Sequence, residues 1–94
     1  MSKISLKGYI IAPDSDLVAV KEELLVHIEL TKKEEGCLVF EVLQDDADKN
    51  KFHVYEEFIS ELAFTKHQER VHSSKWGSVT KNVERFYEIT GTET

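Results

Sequence analysis

Cysteine, proline, tryptophan and glycine are scarce in this 94-residue chain, which contains one, one, one and four of them. A lone Cys37 leaves no internal disulfide and no thiolate cage for a metal, so the fold has to hold by packing. So little Pro and Gly, beside 40% hydrophobic and 10% aromatic residues, excludes a disordered or low-complexity chain. Long apolar runs are missing too. Nothing approaches the roughly 18 consecutive apolar residues of a membrane span, and no signal-peptide core followed by small residues opens the sequence. The expected setting is the cytoplasm, with no membrane partner. Cations are in deficit, with 12 Lys and Arg against 18 Asp and Glu for a net charge of -6, and they are scattered singly or in pairs such as Lys32-Lys33. A nucleic-acid partner is therefore disfavoured, because it calls for a basic face that displaces counterions.

A chain of this size suits one hydrophobic core, so residues 1–94 read as a single domain. Met1 to Lys3 read as a loose end, and Ile4 to Ile11 alternate as a first strand that Ala12-Pro13-Asp14 stops. Asp14, Ser15 or Asp16 can cap a helix from about Asp16 to Lys33, whose stripe is Leu17, Val20, Leu24, His27, Ile28 and Thr31. Gly36 suits the left-handed position just past its end. Cys37 to Leu43 and Phe52 to Ile59 form a hairpin around the polar turn Gln44 to Lys51. Ser60 is a natural N-cap for a second helix carrying Leu62, Ala63, Phe64, His67 and Val71, which weakens near Ser73-Ser74 and continues as a turn with Trp76 and Val79. Val83 to Ile89 alternate as the last strand, and Gly91 to Thr94 trail off. The order β-α-β-β-α-β predicts an α+β, ferredoxin-like plait with a four-stranded antiparallel sheet and both helices on one face.

Helices cover only one face of such a sheet, yet both faces carry apolar residues. Ile4, Leu6 and Ile10 oppose Tyr9 and Ile11; Leu38, Phe40 and Val42 oppose Val39 and Leu43; Phe52, Val54 and Phe58 oppose Tyr55 and Ile59. Leaving several large side chains wet would forfeit on the order of several kcal/mol, comparable with the stability of the whole domain. A two-fold homodimer packed sheet to sheet is the expected remedy.

Among groups that carry chemistry, His67 lies on the apolar side of the second helix, between Phe64 and Val71, and should point into the space between helix and sheet. A neutral imidazole there can act as a general base or be a hydrogen-bonded core histidine. His27 sits on the first helix's stripe with the same two readings. His67 and His72 are five apart, about 140° around a helix, which does not suit paired metal ligands; no metal is expected. His72 and Trp76 are four apart and could stack, and His53 reads as a surface residue. Adjacent Glu56 and Glu57 must point to opposite faces of their strand, so one faces inward and needs a partner such as Arg85, Tyr87 or a helix residue. Glu34-Glu35 reads as a solvated charge run. There is no Gly-rich phosphate loop and no nucleophile elbow.

Three segments, Thr31 to Leu43 with its Glu-Glu-Gly-Cys turn, Phe52 to Phe58 with Tyr-Glu-Glu-Phe, and Ala63-Phe-Thr-Lys-His67, together resemble the antibiotic biosynthesis monooxygenase (ABM) domain family. The resemblance runs in order through nearly the whole chain. It implies a dimeric α+β barrel and a small oxygenase, working without a cofactor, that acts on quinol-like or polycyclic phenolic compounds. By carry-over His67 is the candidate base, and Tyr55, Glu56, Glu57 and Trp76, with His27 and His72, are candidate substrate-binding residues. The family's haem-degrading branch relies on an Asn in the first strand, which is absent here, and His67 stands at the position of that branch's helix Trp. A second branch, similar in the hairpin and in the His67/His72 spacing, isomerises the phosphorylated autoinducer-2 signal; Val71 stands where it usually has Pro. A non-catalytic small-molecule-binding barrel is the third reading.

Overall fold

The computed structural model describes residues 2–93. Strand β1 (Ser2–Ile11) leads through a tight turn at Asp14–Asp16 into helix α1 (Leu17–Lys32). Strands β2 (Cys37–Gln44) and β3 (Lys51–Phe58) form the hairpin, followed by α2 (Glu61–Ser73), the short α3 (Lys75–Val79) and β4 (Glu84–Glu93). The sheet order is β2-β3-β1-β4, antiparallel throughout, with the helices over one face. This is the expected ferredoxin-like plait. Ile4, Leu6 and Ile10 stand opposite Phe58, Glu56 and Phe52 in register, and these six line the buried face. Val20 and Leu24 of α1 and Trp76 of α3 close over the sheet residues to make one core.

Local chemistry explains the elements and several departures from expectation. Ser60 caps α2 by accepting a hydrogen bond from the Ala63 N–H at 3.1 Å, as foreseen. Gly36 has the left-handed φ of 92°, but α1 already ends at Lys32 with Lys33 as its cap, so the glycine turns the chain into β2 rather than terminating the helix as expected. The start of α1 differs: no carboxylate caps it, because Asp14 accepts from Asn50 and Asp16 from Asn82, so both are drawn towards other loops. Trp76 does not extend α2. Ser74 adopts extended backbone, donates its hydroxyl to the Val71 carbonyl and accepts from the Gly77 N–H, which ends one helix and starts the next. A Cβ at Gly77 would lie 2.3 Å from the Val71 carbonyl oxygen, so only glycine lets α3 fold back this tightly.

Both ends are more ordered than expected. Lys3 and Gly91 belong to paired strands, and β1 and β4 stay in register out to Ser2 opposite Glu93, because each strand supplies the other's ladder bonds. Met1 and Thr94 lie outside the described residues. The outer sheet face carries Tyr9 stacked on Phe86 at 4.8 Å, with Lys51 over the Tyr9 ring, together with Ile11, Val39 and Leu43. It is amphipathic rather than wholly apolar, since Lys3, Lys7, Glu41 and Glu57 share it.

Candidate active site

Alternation along β3 sends Phe52, Val54, Glu56 and Phe58 inward and Tyr55 and Glu57 outward. Glu56 is therefore the buried carboxylate. Tyr55 and Glu57, both expected at a pocket, instead hydrogen-bond to each other on the opposite face, where Lys3 also reaches Glu57 at 3.2 Å. A strand's period of two allows no other outcome once Phe52 and Phe58 are committed to the core. His72 does not line the chamber at His67: it is exposed and lines an outer cleft, because five residues of helix carry it away from the face His67 uses. Nor does it stack on Trp76, which lies on a separate helix.

The remaining candidates converge. His67 is 3% exposed and sits between Phe58 and Phe40, at ring distances of 4.9 and 5.9 Å. Its Nδ1 lies 2.7 Å from Glu34 Oε1, so the N–H belongs on Nδ1 and the Nε2 lone pair is turned the other way, with Glu56 Oε1 at 3.8 Å. Arg70 holds Glu34 in turn by donating to its second oxygen, and also donates to Thr31 Oγ1 at 2.8 Å. Glu34 is thus the orienting carboxylate of a buried histidine, not a free surface charge. His67 and Arg70, three apart on one helix face, set two donors beside one acceptor, but nothing in that spacing names Glu34 as the acceptor.

A cavity of about 230 Å3 adjoins this group, walled by His27, Glu56, His67, Trp76, Arg85 and Tyr87 among others. His27 stacks flat on Trp76, 4.6 Å between centroids and 7° between planes, with Phe40 edge-on to its ring. Its Nδ1 is buried without a hydrogen-bond partner. Among the described residues no group of three His, Cys, Asp or Glu side chains is arranged to hold a metal ion.

Burial sets the protonation states. Desolvation lowers His67 below the ordinary imidazole value, outweighing the support of Glu34, and the Arg70 charge lowers it further. Desolvation, with the nearby His67 and Arg70, drives His27 down to about 3. Glu56 moves the opposite way, to about 7, chiefly because burial penalises its charge and secondarily because Glu34 is nearby. Tyr87 keeps part of its ring exposed, yet burial and the proximity of Glu56 push its hydroxyl to about 12. At neutral pH the chamber therefore holds two uncharged imidazoles, a phenol and a carboxyl group near half protonation. Such a set can accept a proton at one nitrogen and offer hydrogen bonds to a developing oxyanion.

The antibiotic biosynthesis monooxygenase family pattern matches residues 11–78. No curated protein matches the chain significantly. Among solved structures, a conserved Bacteroides thetaiotaomicron protein of unknown function, suggested to be an oxidoreductase, is 17% identical with a TM-score of 0.81, over 97% of this chain and 98% of that one. A Nitrosomonas europaea protein provisionally named an antibiotic biosynthesis monooxygenase is 22% identical with a TM-score of 0.80, over 97% and 89%. The Pseudomonas aeruginosa protein PA3566 is 21% identical with a TM-score of 0.78, over 100% and 95%. At these identities the likeness to the solved structures is one of fold, whereas the family pattern covers most of the sequence. The chain belongs to the antibiotic biosynthesis monooxygenase family.

Proposed function

We propose that the protein is a monooxygenase that oxidises a quinol-like or polycyclic phenolic molecule with O2 and needs no cofactor. The observation that carries this reading is the neutral His67, held from behind by Glu34 and facing a partly enclosed chamber through Nε2. His67 takes the phenolic proton, and the resulting electron-rich ring reduces O2 and captures it as a peroxide on carbon. Protonation of the peroxide and loss of water leave a carbonyl there. The ring carbon gains one oxygen atom and loses its hydrogen, the phenol loses its proton, and the other oxygen atom leaves as water. Protonated Glu56 and Tyr87 are the donors that meet the developing negative charge. The flat His27–Trp76 pair offers an aromatic wall for a fused-ring substrate. Oxygen-electrode measurements with a panel of naphthols and anthrones test the reading: uptake without added metal, flavin or nicotinamide is expected. No uptake across the panel would transfer support to the isomerase of a phosphorylated signal or to a binding barrel.

The same reading includes a homodimer formed through the outer sheet face, where Tyr9, Ile11, Leu43 and Phe86 lie beside charges of both signs. Covering these side chains removes apolar surface from water, and the mixed charges suit a self-complementary two-fold contact. Sedimentation at micromolar concentration should give twice the chain mass; a single-chain species would contradict the pairing.

A further inference from the structure

Outside the chamber, between α2, α3 and the start of β4, lies a second and larger hollow of about 580 Å3. It shares Gln68, Val71 and Arg85 with the chamber, so the two spaces adjoin. Its lining is unusual for this chain. Acids outnumber Lys and Arg 18 to 12 overall, yet no Asp or Glu lines the cleft, whereas Lys81, Arg85, His72 and three serines do. Arg85 is anchored there: its Nη2 donates to the Thr80 carbonyl at 3.2 Å and to Thr80 Oγ1 at 3.0 Å. Thr80 is fully buried and its own hydroxyl is fixed on the Trp76 carbonyl at 2.6 Å. Two donors of the guanidinium are therefore spent on an immobile hydroxyl and carbonyl, which orients the rest of the fork. Among the described residues neither Arg85 nor Lys81 has a carboxylate within 4.0 Å.

We propose that this cleft receives an anionic arm of the substrate, a carboxylate or a phosphate ester, while the aromatic ring enters the chamber at His67. Arg85 stands in both walls and is the hinge of the recognition: its pre-oriented fork matches the geometry of an oxyanion, and Lys81 adds a second positive charge. The substrate class is then an acidic polycyclic phenol rather than a neutral quinol. For the identity of the reacting ring the inference rests on the monooxygenase reading; the anion site itself does not.

Isothermal titration calorimetry on the intact protein tests it with three probes of one ring system: naphthol, a hydroxynaphthoate and a hydroxynaphthyl phosphate. At least one acidic probe should bind about tenfold or more tightly than naphthol, the effect of one or two charge-assisted hydrogen bonds. The preferred acid tells carboxylate from phosphate. Arg85→Gln should bring acid and neutral affinities within about threefold of each other, and Lys81→Gln, a change at an exposed side chain, should narrow the gap in part. Equal binding of all three probes by the unaltered protein, or a preference that survives Arg85→Gln, would overturn the proposal. Acid-selective binding without oxygen uptake would uphold the cleft and sink the monooxygenase reading; uptake with no acid preference would do the reverse.

Discussion

Replacing His67 by Ala is expected to lower kcat for an oxidised phenol by about 10^2–10^4-fold, the range for a lost general base, with substrate affinity much less affected. Glu34→Gln should cost less, because the amide still occupies the space behind Nδ1 but no longer stabilises the imidazolium that forms. The pH profile adds a separate readout. Glu56 is faced by His67 from α2, by Glu34 after α1, and by Arg85 and Tyr87 from β4. Below its value of about 7 it is a neutral donor; above it, its charge opposes a phenolate in the same chamber. The rate constant kcat/KM should therefore fall as pH rises through about 7, and Glu56→Gln should flatten that limb. A limb that persists in Glu56→Gln would assign the titration elsewhere, and undiminished turnover by His67→Ala would remove the imidazole from the chemistry.

Phe52→Ala should be the most damaging truncation in the core. Phe52 is 1% exposed, pairs with Ile10 across the β1–β3 ladder and belongs to the cluster that includes Val20, Leu24 and Trp76. Emptying such a site costs about 3–5 kcal/mol, from a total that for a domain of this length is roughly 5–14 kcal/mol. The thermal midpoint should drop by about 4–8 °C for each kcal/mol lost. Leu25→Ala, at a position 69% exposed on α1, should change stability by no more than about 0.5 kcal/mol. Denaturant titrations of both variants check this, and a Phe52→Ala loss below about 1 kcal/mol would contradict the packing described.

The order of elements was readable because each carries its own period: alternation in β1 and β3, steps of three and four in α1 and α2. The choice between Glu56 and Glu57 was contained in the same alternation, since Glu56 shares the parity of Phe52, Val54 and Phe58. Tyr55 and Glu57 could have been set aside on that ground. What no local pattern could supply was Glu34. Its contact with His67 joins residues 33 apart, and it depends on how the Gly36 turn delivers the end of α1 to the side of α2. Arg85 was foreseen as a partner for the inward carboxylate. Instead Thr80 draws its guanidinium aside, because the backbone after α3 offers it a nearer carbonyl and hydroxyl.

The antiparallel ladder that sets Ser2 beside Glu93 has a consequence for re-engineering the chain. Ser2 and Glu93 are neighbours across one strand pair, so a tight two-residue bridge between them would make an ordinary hairpin. Fresh termini could then be opened in the exposed Asp46–Lys49 stretch. The resulting permutant would begin with β3 and finish with β2, and it would keep every wall of the chamber while reversing the order in which its pieces leave the ribosome.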